Sequence, residues 1–217
     1  SHLDMGYFKR VSELCKKHNV LLICDEIQTG LGRTGKMMCH QHYDVRPDIV
    51  TLGKALSAGV YPVSAVMADK DVMLCIAPGE HGSTYGGNPL GSAVAITALD
   101  VLVNDKLCER AETLGNQMRE SLRKIKNPLL SEVRGMGLLN AIVIDETKST
   151  KKRSAWDLCL LLADKGVLAK PTHQNIIRLA PPLVITEEEL ERGLKAIEDA
   201  LNDLDTVETI PGAEEAH

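Results

Sequence analysis

The sequence predicts an α/β protein in which a mostly parallel sheet, with helices on both faces, precedes a small α+β domain. Two apolar runs, residues 21–24 and 49–52, are too short for helices and have the length of strands buried on both faces of a parallel sheet. Segments with helical spacing of apolar residues lie on either side of them. Only 3% of the residues are aromatic, so the core must be mostly aliphatic, which suits such strands.

The first domain is predicted to span residues 1–105. Lysines in the last turn of its first helix complement the helix dipole, and Asn19 can end that helix in the left-handed conformation. Pro62 lies near the start of the third strand, where a missing backbone donor is tolerated. The elements, in order, are a helix at 6–18, a strand at 20–24, a glycine-rich loop at 29–35, buried strands at 49–52 and 60–67, and a helix at 69–75.

The second domain is predicted to span residues 106–205. A helical segment at 90–124, with a possible break at Asn104 and Asp105, connects the two domains. Thr186 and Glu189 form a capping-box pattern at the start of the last helix. The other elements are a strand, turn and strand at 133–144, a helix at 156–164, short strands at 167–169 and 176–179, and an acidic tail at 206–217 that we expect to be disordered.

Composition and charge exclude several classes of function. The net charge of −5 gives no electrostatic footprint for nucleic acid, and no apolar run approaches the length of a membrane span. The six cysteines are scattered without a CxxC pair, so we expect reduced thiols in an intracellular compartment. His40 and His42 could form a metal pair, but we interpret them as loop or surface residues and predict no metal site.

A carboxylate and a lysine follow the first two strands. Asp25 comes directly after the first apolar run, and Lys54 comes shortly after the second. The carboxyl ends of parallel strands meet at one edge of a sheet, where such folds bind ligands. Pyridoxal phosphate needs both groups, an amine to bind it covalently and an anion to pair with its pyridinium nitrogen. Taken alone, the two residues leave another interpretation open, in which Asp25 caps the next element and Lys54 is solvated.

Five short segments around these two residues occur in a distinctive order: DEIQTG at 25–30, RTG at 33–35, RPDI at 46–49, GKAL at 53–56 and GSTYGGNP at 82–89. This pattern resembles the class III aminotransferases, pyridoxal-phosphate enzymes of fold type I. The resemblance implies that Lys54 binds the cofactor and acts in catalysis. It also implies that Asp25 pairs with the ring nitrogen and that Gln28 bonds the phenolic oxygen. Ser83 and Thr84 would bind the phosphate, with Thr84 reaching the neighbouring subunit's cofactor.

Three further segments, at 79–85, 134–141 and 170–183, are most similar to the ornithine aminotransferases within that family. This resemblance implies transfer of the δ-amino group of ornithine to 2-oxoglutarate, giving glutamate semialdehyde, which cyclises, and glutamate. Arg178 lies between apolar residues, where its planar guanidinium suits a substrate carboxylate or a structural ion pair. The resemblance favours the substrate carboxylate. Acetylornithine or 4-aminobutyrate aminotransferase is the alternative within the family, and a non-catalytic dimerisation fragment is the alternative outside it.

By the same resemblance, residues 1–105 correspond to the second part of the large cofactor-binding domain and residues 106–205 to the small C-terminal domain. We therefore expect the chain to lack the family's N-terminal part, and Ala58 replaces a glycine that the family commonly has. A sheet without its neighbouring strands would expose edges and apolar faces, so we expect a homodimer or another partner chain. We expect the cytoplasm, with the mitochondrial matrix as the alternative, since a transit peptide would lie upstream.

Overall fold

The computed structural model describes residues 5–212. The chain is divided into two compact units, of which the first ends at Ala111 and the second begins at Glu112. The predicted domain boundary at 105/106 stays a prediction. No helix within residues 5–212 is long and apolar enough to cross a membrane.

In its described residues, the first unit contains a small sheet and three complete α-helices. Helix α1 covers Met5–Lys17 and ends near Asn19, which has the left-handed conformation predicted for it. The strands are β1 (Ile23–Asp25), β2 (Ile49–Leu52) and β3 (Ala65–Ala68), and the remaining helices are α2 (Lys70–Met73) and α3 (Pro89–Asn104). The helix predicted at 69–75 is therefore confirmed in a shorter form.

The sheet of the first unit has the order β1-β2-β3, with β1 parallel and β3 antiparallel to β2. Burial of β1 on both faces, predicted from its apolar run, is wrong in this structure. Cys24 is buried, but Ile23 is 58% exposed, because β1 is an edge strand whose second face is uncovered within the described residues. The third strand starts at Ala65 rather than at residue 60 and is likewise not fully buried, since Val66 is exposed.

The second unit packs helices against an antiparallel sheet of order β4-β5-β7-β6. Its strands are β4 (Leu130–Met136), β5 (Leu139–Ile144), β6 (Pro171–Thr172) and β7 (Ile176–Leu179), and its helices are α4 (Leu107–Lys124, which contains the boundary), α5 (Ala155–Asp164) and α6 (Glu187–Asp203). The predicted strand–turn–strand and the strand at 176–179 are confirmed, as is the helix break near Asn104. The strand predicted at 167–169 is wrong; pairing starts at Pro171, and Leu168 is 91% exposed.

Two features pack helix α4 against the turn between β4 and β5 in the second unit. The Arg119 side chain, buried in α4, donates hydrogen bonds to Gly137 O at 2.9 Å, to Asn140 Oδ1 at 2.7 Å and to Asn116 Oδ1 at 2.7 Å. A side chain at Gly115 would overlap the backbone of Gly137, so α4 lies directly on the turn between β4 and β5. Because the arginine is held by neutral acceptors inside the protein, burial lowers its pKa.

Residues 206–212, which the composition predicts as part of a disordered tail, instead contact the loop after β5. The Lys151 ammonium donates to Thr206 O at 3.1 Å, to Val207 O at 2.9 Å and to Glu208 Oε1 at 2.9 Å. Ile210 is buried. These contacts join residues more than 50 positions apart, which composition does not report. Residues 213–217 of the predicted tail lie outside the described residues.

Candidate functional site

The carboxylate of Asp25 lies at the end of β1, where it is fixed by two hydrogen bonds. Asp25 is opposite Thr51 in the parallel pair β1–β2. Its Oδ1 accepts from the backbone N–H of Ile27 at 3.0 Å and from the Thr51 hydroxyl at 3.3 Å. Lys54 follows β2 after one residue. Asp25 and Lys54 therefore lie at the same edge of the sheet, while the roles of their side chains stay predictions.

Lys54 begins a 3₁₀ turn, Lys54–Ser57, and has a left-handed backbone with φ of 44°. Such a conformation is unfavourable for a residue other than glycine and is common where function constrains the chain. Leu56 and Ser57 are buried, and the Ser57 hydroxyl donates to Lys54 O at 3.2 Å. The turn is thus anchored by its buried end, while the Lys54 side chain is exposed. Ala58 ends the turn, also in the left-handed region, which explains why glycine suits that position.

A cavity of about 520 Å³ lies beside Lys54. Its wall is rich in hydroxyl groups and glycine backbone, with one ammonium. The lining residues are Lys54, Ser57, Pro62, Val63, Ser64, Ser83, Tyr85, Gly86, Gly87, Asn88, Gly91 and Ser92. A small molecule with a phosphate group and an electrophilic carbon fits this chemistry, since hydroxyl and N–H groups bind the anion and the amine can react.

The start of helix α3 forms one wall of this cavity. Asn88 caps the helix by accepting a hydrogen bond from Gly91 N at 2.8 Å, and its amide donates to Tyr85 O at 2.8 Å. Ser83 Oγ accepts from Gly86 N at 2.9 Å. These bonds give the loop before α3 a defined conformation next to a helix N-terminus, which favours anions.

The structure brings some of the predicted site residues together and keeps others apart. Ser83 lines the same cavity as Lys54, whereas Asp25, Gln28 and Thr84 do not line it. Gln28 is exposed in the turn after β1, and Thr84 is exposed in the loop before α3. Of the predicted site residues of the first unit, the Lys54 amine and the Ser83 hydroxyl are therefore the two that line one cavity.

Arg178 belongs to the second unit. It lies in β7 between the buried side chains of Ile177 and Leu179, and is itself exposed. Within residues 5–212 its guanidinium has no ion-pair partner. A guanidinium that is not neutralised suits an external carboxylate better than a structural ion pair.

One residue next to the site, Glu26, was not predicted to have a role. Its carboxylate is only 3% exposed. It accepts hydrogen bonds from Thr29 Oγ1 at 2.8 Å, Cys39 N at 2.9 Å and His40 N at 2.8 Å, and His40 Nδ1 lies 3.1 Å away. The sequence signal was its spacing of two residues from buried Cys24, which places both side chains on the same face of an extended chain.

The surroundings of Glu26 show its influence on neighbouring groups. Burial, then the charge of Glu26, then Cys39, raise the pKa of the Cys24 thiol to about 11. Burial and Glu26 also raise the pKa of Cys39.

His42, the other half of the possible metal pair, has Nε2 at 2.9 Å from Thr34 O. Both histidines therefore contact groups of their own loop.

Comparison with known proteins places these features in a family. The chain matches the aminotransferase class-III family over residues 1–201. It is 59% identical over 211 residues to the ornithine aminotransferase of Schizosaccharomyces pombe, covering 97% of this chain and 48% of that protein. It is 58% identical over 194 residues to the mitochondrial ornithine aminotransferase of Rattus norvegicus, covering 89% and 44%. The chain thus spans about half the length of the curated relatives it matches.

Solved structures of aminotransferases have the same fold as this chain. The acetylornithine aminotransferase from Elizabethkingia anophelis superimposes with a TM-score of 0.86 at 58% identity, covering 92% of this chain and 52% of that one. Ornithine delta-aminotransferase of Plasmodium falciparum superimposes with a TM-score of 0.87 at 47% identity, covering 93% and 52%. The fold class predicted from the sequence is therefore confirmed.

Proposed function

Because the chain belongs to the class III aminotransferases, we propose that it carries the reactive lysine of an enzyme that uses pyridoxal phosphate. The proposed reaction moves the δ-amino group of L-ornithine to 2-oxoglutarate and gives glutamate 5-semialdehyde and glutamate. The observation that carries the proposal is Lys54. It has a constrained backbone, lies at the same sheet edge as Asp25, and faces a cavity rich in hydroxyl and glycine groups.

The residues of this chain fit the cofactor. Lys54 would hold it covalently, and the Asp25 carboxylate, fixed by Ile27 N and Thr51, would pair with the ring nitrogen. Gln28 would bond the phenolic oxygen. Ser83, with the N-terminus of α3, would bind the phosphate. When bound, pyridoxal phosphate withdraws electrons from the substrate carbon that loses a proton.

The Lys54 amine would move that proton. As a free neutral amine it would accept the proton from the substrate carbon bearing the transferred nitrogen and would return it to the cofactor carbon C4′, on the other side of that nitrogen. The Ser57 hydroxyl holds Lys54 O, so the backbone stays fixed while the side chain swings between these positions. The Arg178 guanidinium would hold a substrate carboxylate bidentately, as suits glutamate and 2-oxoglutarate.

We infer that the working protein is a homodimer whose sites are shared between subunits. Thr84 supports this inference, because it lies next to Ser83 yet does not line the cavity that contains Lys54. An exposed threonine that lies outside this cavity, beside a residue that lines it, can serve a second copy's cofactor. Sedimentation velocity tests the assembly, and a monomer at micromolar concentration with the cofactor bound would contradict it.

The compartment is proposed to be the cytoplasm, with the mitochondrial matrix as the alternative. The rat relative carries "mitochondrial" in its name, while the Schizosaccharomyces pombe relative does not. Fractionation of cells expressing the native gene product decides between the two.

A second candidate function is transfer from N-acetylornithine. It is favoured by the solved acetylornithine aminotransferase, whose 58% identity equals that of the rat ornithine enzyme. Turnover of ornithine, N-acetylornithine and 4-aminobutyrate, each with 2-oxoglutarate, distinguishes the candidates. We expect the highest kcat/KM with ornithine, and a preference for either other donor would overturn that assignment.

The cofactor proposal is tested directly by chemical trapping. The purified protein is mixed with pyridoxal phosphate, reduced with borohydride and digested, and the modified lysine is located by mass spectrometry. We expect the reduced cofactor to be attached to Lys54 and this attachment to be lost in Lys54→Ala. The matched control is Lys70→Ala, which removes an exposed lysine of α2 and should keep the attachment at Lys54. Label spread over several lysines, or none, would contradict the proposal.

A further inference from the structure

Glu26 is the most thoroughly hydrogen-bonded carboxylate near the proposed cofactor site. Each of its two oxygens accepts one backbone N–H, Oε1 from His40 and Oε2 from Cys39. Oε2 also accepts the Thr29 hydroxyl, and Oε1 faces the His40 ring. A carboxylate that is almost completely buried is stable only with several such donors.

The backbone of Glu26 is fixed as well. Its N–H donates to Thr51 O at 3.0 Å, which extends the β1–β2 pairing by one residue. Its carbonyl accepts from Gly30 N at 2.9 Å and closes a turn over residues 26–30. A Cβ at Gly30 would lie 2.9 Å from Glu26 O and 3.1 Å from Glu26 Cβ, so the turn requires glycine there.

The turn that Glu26 closes contains Gln28 and is hydrogen-bonded to Asp25, the two groups proposed to hold the cofactor ring. Asp25 directly precedes Glu26 and accepts from the N–H of Ile27, inside the turn. Gln28 is the middle residue of the turn. The Glu26 side chain then ties this turn to residues 39–40, so that both ends of the intervening loop are fixed at the carboxyl end of β1.

From this geometry we propose that Glu26 is a positioning residue, whose buried carboxylate fixes Asp25 and Gln28 for binding the cofactor ring. The inference rests on the proposed function. Glu26 would not touch the ring; it fixes the turn that contains Gln28 and that supplies the Ile27 N–H bound by Asp25. Loss of the charge should therefore weaken cofactor binding while leaving Lys54 and its turn unchanged.

Glutamine is a sharp probe of this role because it keeps the shape of the side chain. Each carboxylate oxygen faces a backbone N–H, which can only donate. The amide NH₂ of Glu26→Gln must therefore meet a donor in either orientation, at Cys39 or at His40. The substitution removes one of the two backbone hydrogen bonds that join the turn to residues 39–40, without creating a cavity.

The experiment measures the dissociation constant for pyridoxal phosphate by fluorescence and absorbance titration, together with the absorbance spectrum of the bound cofactor as a function of pH. The matched control is Leu31→Ala, which removes a buried side chain from the same loop without touching the Glu26 carboxylate. Thermal unfolding of the cofactor-free proteins shows how far each variant is destabilised.

We expect Glu26→Gln to raise the dissociation constant by at least about tenfold and to shift the pH profile of the bound spectrum. Leu31→Ala should stay within about threefold of the unchanged protein although its melting temperature falls. Unchanged affinity in Glu26→Gln, or equal losses in both variants, would overturn the inference and leave the proposed function intact. Failure of the unchanged protein to bind the cofactor would instead overturn the proposed function.

Discussion

The two units of the chain bury their apolar side chains to very different degrees. Of the twelve largest fully buried side chains in the described residues, all but Thr34 lie in the second unit. Among residues 5–212, nineteen large apolar side chains are exposed, and only three of these, Trp156, Leu168 and Val184, belong to the second unit. The second unit therefore has a closed core of its own, and the first unit does not.

This difference indicates where stability and chemistry reside. The unit that carries Asp25, Lys54 and the cavity has an edge strand with an uncovered face, so little burial opposes local opening. The second unit, with its interlocked sheet and helices, should behave as a cooperative structure. We expect the first unit to depend on bound molecules for its order, and the second to depend on its own core.

The largest expected difference in stability is between alanine variants of two strand isoleucines, one buried in the second unit and one exposed in the first. Ile142 in β5 is fully buried, and Ile142→Ala should lower the free energy of unfolding by about 2–5 kcal/mol through lost burial and a cavity. Ile23→Ala in β1 should change it by no more than about 0.5 kcal/mol. Urea unfolding measures both. Equal losses would contradict the difference between the units.

A smaller effect is expected inside the second unit from Arg119. Arg119→Met removes one donor from each of two acceptors, Gly137 O and Asn140 Oδ1, and only Gly137 O keeps a second donor in the Asn140 amide at 3.1 Å. This loss should cost about 1–3 kcal/mol. The control is Arg123→Met on the same helix, whose arginine makes one long bond to Val133 O at 3.3 Å. A loss from the Arg119 variant no larger than from the control would mean that the network contributes nothing.

Acid should weaken the contact between the loop after β5 and the end of α6. Hydrogen bonds from Ser149 and Thr150 lower the pKa of Asp205. Its stabilisation is therefore present above the unfolded pKa of about 3.9 and is lost as pH falls through the lower folded pKa. Asp205→Asn should lower stability by about 1 kcal/mol at pH 7. The two proteins should converge at low pH, and a constant difference across the range would contradict this assignment.

The smallest effect concerns the uncovered face itself. Val66 in β3 is exposed, and Val66→Thr keeps the β-branched shape while adding a hydroxyl. We expect a change in stability below about 0.5 kcal/mol and less self-association in light scattering. A loss above about 1 kcal/mol would mean that this face is covered in solution.

Local signals in the sequence predicted much of the fold. The capping box at Thr186, where the threonine hydroxyl accepts from Glu189 N at 3.1 Å, depends on residues three apart. The same holds for the placement of Asp25 and Lys54, since each is fixed by the strand before it. Such features are contained in short segments and can be inferred from them.

Features that depend on distant residues could not be inferred in this way. The exposure of Ile23 depends on which strands neighbour β1, and the folding back of residues 206–212 depends on Lys151 and Asp205. Glu26 could be placed on the buried side of the chain, but its donors are backbone N–H groups 13 and 14 residues away. Their positions follow from the loop conformation, which local patterns do not specify.

Amide hydrogen exchange, resolved by peptide and measured with and without pyridoxal phosphate, tests the central difference most directly. We predict slow exchange in β5, β7 and α6 under both conditions. In β1, β2 and the Lys54 turn we predict faster exchange, slowed when the cofactor is added. Equal protection of the two units without cofactor, or slowing confined to the second unit, would contradict the account.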